Sequence, residues 1–130
     1  MKKLKKLLLA TTAMLPLLCT AAEAQTPMVG IPWVPLGYCQ LSPSAATKLS
    51  ACSINNVVGI PAGANLVVVR TESQTVRYRD DGVAPSSGAG QPILVADPPF
   101  VYEGTLSAIQ FIQASSSATL DVTFYKIPAQ

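Results

Sequence analysis

The chain reads as all-β, a sandwich or a barrel, and three observations point that way. Beyond the first 24 residues, no window of twelve or more residues carries a helical apolar stripe. Short runs rich in β-branched and aromatic residues alternate with turn signals. Within the clearest runs, such as Thr75 to Asp80 and Thr119 to Ile127, apolar and polar residues alternate with the period of two that half-buried strands require.

The first 24 residues are set apart as an export signal. Lys2, Lys3, Lys5 and Lys6 form a basic start, Leu7 to Leu18 is apolar, and Ala22-Glu23-Ala24 is an A-x-A cleavage site. The apolar run is shorter than the roughly 20 residues of a membrane span. An uncleaved anchor and lipidation at Cys19 are the alternatives, and bulky Leu17 and Leu18 disfavour the second. Cleavage after Ala24 leaves about 106 residues, enough for one domain with a modest core. The expected organisation is a signal peptide (1–24), a Pro-rich extended arm (25–36) and a β-domain (37–130).

The elements follow in order. Pro27, Pro32 and Pro35 keep Gln25 to Leu36 extended and out of central strands. Met28, Val29, Ile31, Trp33 and Val34 make that arm apolar, so it packs on its own domain or docks on a neighbour. Gly37 to Leu41 is a short strand carrying Cys39. Ser42 to Ser50 offers one helical turn, with Ser42 as cap and Pro43 at the first helical position. Ser53 to Gly59 is a polar loop, and Ile60 to Gly63 is a turn. Asn65 to Thr71 is a strand covered on both faces. The four residues Glu72 to Thr75 suit a hairpin connection to the next strand, Thr75 to Asp80.

Along that second strand Val76 and Tyr78 share one face, and Arg77 and Arg79 the other. Asp80-Asp81-Gly82 is a turn, because aspartate bonds its own backbone and glycine accepts positive φ. Val83 to Pro92 is a Ser/Gly/Ala/Pro loop. Strands follow at Ile93 to Ala96, Phe100 to Glu103 and Leu106 to Ala114, where Ile109 and Phe111 share a face. Ser115 to Ser117 turns the chain, and Thr119 to Ile127 closes the fold with Leu120, Val122 and Phe124 inward.

Removing residues 1 to 24 leaves five basic and six acidic residues, a net charge of −1. A nearly neutral protein has no long-range field to gather nucleic acid or anionic lipid. Neither partner is expected, nor is stable membrane insertion after cleavage. Two cysteines remain, Cys39 and Cys52, and an oxidising compartment favours their pairing. The alternatives are two buried thiols or metal ligation, and a chain with no histidine and no CxxC is a poor metal site.

The available chemistry is sparse. Without histidine, a Ser-His-Asp triad or a Cys-His pair cannot form, and no phosphate-binding glycine loop or HExxH is present. Glu72 and Glu103 offer a carboxylate pair of the glycosidase kind, but nothing in the sequence brings them together. Arg77, Arg79, Asp80 and Asp81 form the densest polar cluster. Its main reading is structural, with Arg79 bonded to the turn carboxylates and pinning the loop that follows. Binding of an anion, a sugar or Ca²⁺ is the alternative. No catalytic residue, metal or cofactor is assigned.

Several segments in order resemble small proteins encoded by tailed bacteriophages and prophages. These are Ile60-Pro61-Ala62-Gly63-Ala64, Val76 to Pro85 (VRYRDDGVAP), Gly90-Gln91-Pro92-Ile93, Leu106 to Ile112 (LSAIQFI) and Ala118 to Val122 (ATLDV). The resemblance covers roughly Ile60 to Tyr125. It implies a virion-associated β-sandwich or jelly-roll module. A virion protein assembled in the cytoplasm needs no signal peptide, so the export signal favours an exported phage-type module.

The expectation is therefore a two-sheet antiparallel sandwich, jelly-roll-like, of about seven short strands. The expected function is non-enzymatic: an exported, periplasmic or extracellular structural or accessory module that binds protein or assembles with itself. Ile31, Trp33 and Val34 form the candidate assembly arm. The alternative is a secreted carbohydrate- or cell-surface-binding domain with a surface glycan as partner. A flat exposed row from Trp33, Tyr38, Tyr78, Tyr102 and Tyr125 would favour that alternative.

Overall fold

The computed structural model describes residues 32–129. The expected signal peptide (1–24) and residues 25–31 of the expected arm, Ile31 among them, lie outside the described residues. The described residues form ten strands: β1 (Val34–Leu41), β2 (Thr47–Lys48), β3 (Ser53–Ile54), β4 (Val57–Val58), β5 (Leu66–Thr71), β6 (Val76–Arg79), β7 (Gln91–Ile93), β8 (Phe100–Tyr102), β9 (Gln110–Gln113) and β10 (Leu120–Lys126). This exceeds the seven expected, chiefly because β2, β3 and β4 are two-residue strands too short to leave a periodic signal.

Two four-stranded sheets form, ordered β1-β10-β5-β8 and β2-β9-β6-β7, with all neighbours antiparallel. They share one apolar core in a sandwich-like arrangement. The first sheet contributes Cys39, Leu41, Val67, Val69, Leu120, Val122 and Phe124; the second contributes Val76, Ile93 and Phe111. Phe111 and Phe124 are the largest fully buried side chains. Burying each stabilises the fold by about 1.5–3 kcal/mol relative to exposure. Leu120, Val122 and Phe124 are all buried, as the alternation along the last strand requires.

Five local expectations are corrected. The first strand begins at Val34, not Gly37: Val34 is aligned with Lys126 and Pro35 with Tyr125, with an irregularity between Pro35 and Gly37. An edge strand accepts proline where a central one does not, so the arm's last residues join the sheet. In place of the helical turn over Ser42 to Ser50 stand β2 and a short 3₁₀ turn, Leu49–Ala51, whose Leu49 is fully buried. The polar loop Ser53 to Gly59 is a hairpin, β3-β4, turned by Asn55 and Asn56 at φ 50° and 67°. Two consecutive residues at positive φ are the mark of a type I′ turn, which asparagine tolerates.

Glu72 to Thr75 does not make a hairpin. β5 lies in the first sheet and β6 in the second, so these residues carry the chain from one sheet to the other. Lastly, two strands are displaced or shorter than expected. β7 takes Gln91–Ile93, because Val76 and Tyr78 align with Ile93 and Gln91. β9 is confined to Gln110–Gln113, since Thr105 accepts a backbone bond from Ala108 in a preceding turn.

Cys39 of β1 and Cys52 beside β3 are bonded, with Cα atoms 5.7 Å apart, inside the span a disulfide needs. The bond ties the small hairpin to the edge of the first sheet.

Candidate functional site

β6 and β7 are the only consecutive strands of the four-stranded sheets that pair with each other. The long loop between them, from Asp80 to Gly90, is where the predicted cluster sits. The four residues divide into three separate roles. The Arg77 guanidinium donates to the carbonyl of Ser87 (2.9 Å) and to that of Gly90 (3.0 Å). It therefore holds the loop's return. Gly90 sits at φ 134°, and a Cβ there would stand 2.9 Å from the Tyr78 carbonyl oxygen, so only glycine lets the loop close onto β6.

Arg79 bonds Asp81 through Nε (3.1 Å) and Nη2. The Arg79 bond, together with the Val83 N–H donated to Oδ1 (3.2 Å), holds the Asp81 carboxyl below the usual carboxylate range. This pair is local and exposed. The loop is thus pinned by Arg77, not by Arg79 as the sequence suggested. Asp80 faces elsewhere: burial first, then Asp80, pushes the Tyr102 phenol up, and the same two causes act on Tyr78.

Beside this cluster lie two adjoining clefts. One of about 360 Å³ is lined by Tyr78, Arg79, Asp80, Asp81, Gly90 and Gln91. The other, about 400 Å³, shares Tyr78 and Gln91 and adds Pro92, Pro98, Pro99 and Phe100. The first opens beside the end of β6 and the β6–β7 loop, the second between edge strands β7 and β8. Tyr78 packs on Phe100 with ring centroids 4.6 Å apart, and Phe100 stacks on Tyr102 at 6.1 Å.

The arm presents a different surface. Trp33 lies 5.6 Å from Tyr125, centroid to centroid, yet stays 44% exposed, as does Val34. Nearby, a cleft of about 350 Å³ is lined by Leu36, Ile54, Val57, Val58, Ile60 and Pro61, among others. Val57 and Val58 are 71% and 70% exposed. The five aromatics do not form one row: Trp33 and Tyr125 pair at one end of β10, Tyr38 stands alone on the outer face of β1, and Tyr78 and Tyr102 join Phe100 at the opposite edge.

Glu72 and Glu103 are kept apart. Val67 aligns with Tyr102, so Glu103 lies beside the start of β5 and Glu72 follows its end. Six residues of strand separate them by roughly 20 Å, well beyond the ~5–9.5 Å of glycosidase carboxylates. Sequence reasoning missed a different meeting of carboxylates. Gln40, Asp121 and Arg70 align across β1, β10 and β5. Asp121 accepts bonds from the Tyr38 hydroxyl and from Gln40 Nε2 (3.0 Å). Burial pushes the Asp121 carboxyl up, but bonds from Tyr38, Gln40 and Glu72, with the Arg70 charge, hold it below the usual range. Hydrogen bonding to Asp121 and repulsion by it push Glu72 up. Only the register places these residues together, so periodicity within one strand carries no sign of it.

Among the described residues no group of three or more His, Cys, Asp or Glu is placed to hold a metal ion. No helix among them is long and apolar enough to cross a membrane. Comparison with protein-family models, curated proteins and solved structures finds no match for the chain.

Proposed function

We propose that this chain is an exported, non-enzymatic structural or accessory module of phage or prophage type, built as a jelly roll and assembling with copies of itself. The strand order supports the jelly roll: eight strands divide between two four-stranded sheets, and every connection among them but β6 to β7 crosses from one sheet to the other. Viral capsid and lectin domains use such folds, although fold alone does not assign function. The phage context rests on the segments between Ile60 and Tyr125. Export rests on the first 24 residues, and the Cys39–Cys52 bond is compatible with an oxidising compartment. The lack of histidine supports a non-catalytic role.

The observation that carries the assembly reading is the apolar surface around the start of β1. Val57 and Val58 stand exposed on the cleft at Leu36 and Ile54, and Trp33 and Val34 stand exposed at the start of β1. Exposed apolar patches mark interaction sites. Sedimentation equilibrium of the purified protein tests it. The expected result is association that strengthens with concentration and weakens in Val57→Asp. A single-chain mass at every concentration overturns the reading.

The second reading, a carbohydrate- or cell-surface-binding domain, is favoured by the two clefts that share Tyr78 and Gln91. Titration with a set of neutral oligosaccharides, monitored by tyrosine fluorescence, tests it. Saturable binding lost in Gln91→Ala supports it, and no response to any sugar removes it.

A further inference from the structure

We propose that the two clefts meeting at Tyr78 form one groove, and that it docks an extended, proline-rich peptide of a partner protein carrying a basic residue at each end. The inference goes beyond self-assembly and names a partner by its chemistry.

The first cleft is lined by Tyr78, Asp80 and Gln91, among others, and the second by Tyr78, Gln91, Asp97 and Phe100. The second is largely apolar. Tyr78 and Phe100 pack together, and Pro92, Pro98 and Pro99 stand exposed along it. These prolines also decide how a peptide can bind there. Proline has no backbone N–H, and β7 and β8 are three residues each. The groove therefore offers little to an added strand, and recognition falls to side chains. Peptides in the polyproline II form bind in this way. They are extended before binding, have no internal hydrogen bonds, and lay their apolar side chains on grooves walled by aromatic rings. Their free carbonyls accept hydrogen bonds, and Gln91, exposed and common to both clefts, carries an amide donor.

Charge fixes the ends. One cation, Arg79, and three carboxylates, Asp80, Asp81 and Asp97, line the two clefts. Arg79 is committed to Asp81, the sole ion pair among the described residues. Arg77 is turned to the carbonyls of Ser87 and Gly90. Asp80 in the first cleft has no cation partner among the described residues. Neither has Asp97 in the second, which accepts a bond from the Leu94 N–H (2.8 Å). A peptide with a basic group toward each cleft complements both charges, whereas a neutral sugar complements neither.

The test uses the full chain and a blocked peptide of six prolines with one arginine at each end, beside versions with glycine or glutamate in the arginine positions. Saturable shifts of the Gln91 and Val101 amide resonances are expected with the arginine peptide. It should bind about fivefold more tightly than the glycine peptide, as two exposed ion pairs allow. That advantage should vanish in high salt and in Asp80→Asn/Asp97→Asn. The glutamate peptide should bind most weakly. No shift with the arginine peptide, or equal affinity for the arginine and glutamate peptides, overturns the proposal. So does a neutral oligosaccharide that shifts these amides where the peptides do not, which leaves the groove to the sugar reading. Should the double variant unfold, wild-type binding decides: affinity that ignores salt overturns the proposal. None of these outcomes touches self-assembly, which sedimentation reads separately.

Discussion

Two arginines two positions apart on one strand face hold unequal positions. Arg77 reaches backbone carbonyls 10 and 13 residues away, whereas Arg79 bonds a neighbour two residues on. A surface pair between neighbours adds little, because solvent screens it and both chains lose freedom. Bonds that close a long loop have no local substitute. Arg77→Ala is expected to lower stability by about 1–3 kcal/mol, and Arg79→Ala to leave it almost unchanged, in urea denaturation. The same scale governs pH dependence. Glu72 is pushed up by Asp121, so its ionised form is disfavoured in the fold; the penalty grows as the pH rises above the ordinary glutamate range and is full above the folded pKa. Glu72→Gln should therefore raise the melting temperature at neutral pH, with the gain vanishing once the pH falls below the ordinary glutamate range. Asp121, held low, contributes the opposite sign: its stabilisation is present at neutral pH and is lost in acid as the pH falls through its folded pKa.

Among the elements, the β3-β4 hairpin shows what a short signal hides. The pair Ser53-Ile54 and Val57-Val58 is too brief for alternation to register, but Asn55-Asn56 between them is a legible type I′ turn. Reading the asparagines only as polar loop residues missed it. Asn56→Val, which puts a β-branched residue at positive φ, is expected to cost about 1–2 kcal/mol, read as a lower denaturation midpoint. The hairpin's tether is the Cys39–Cys52 bond, both ends of which are buried. Cys39→Ala/Cys52→Ala is expected to cost about 2–5 kcal/mol. Reductant should shift the wild type toward the variant and leave the variant unmoved.

For the molecule as a whole, the place of the arm decides how the protein tolerates shortening. Read from sequence, the arm ended at Leu36 and left the domain independent of it. Yet Val34 and Pro35 align with β10, and Leu36 packs against the shared core. A truncation beginning at Gly37 is expected to melt well below the full chain in thermal circular dichroism, while one beginning at Pro32 should melt near it. If both melt alike, the start of β1 contributes nothing to the sheet.

What the sequence determined alone was the all-β class, the turns at Gly63, Gly82 and Ser117, and the inward faces of the longer strands. These depend on residues near one another in the chain: period-two alternation, positive-φ glycines, aspartates that bond their own backbone. The pairing of Cys39 with Cys52 was also legible, since the two cysteines beyond the expected signal peptide leave one intramolecular choice. Tertiary structure decided which strand lies beside which. A four-residue link such as Glu72–Thr75 serves equally for a hairpin or for a crossing between sheets, and only the competition for β10 and β9 as partners settles it. From that choice follow the separation of Glu72 from Glu103 and the meeting of Glu72 with Asp121. Neither of these is written in local periodicity, because each depends on the register between strands distant in the chain.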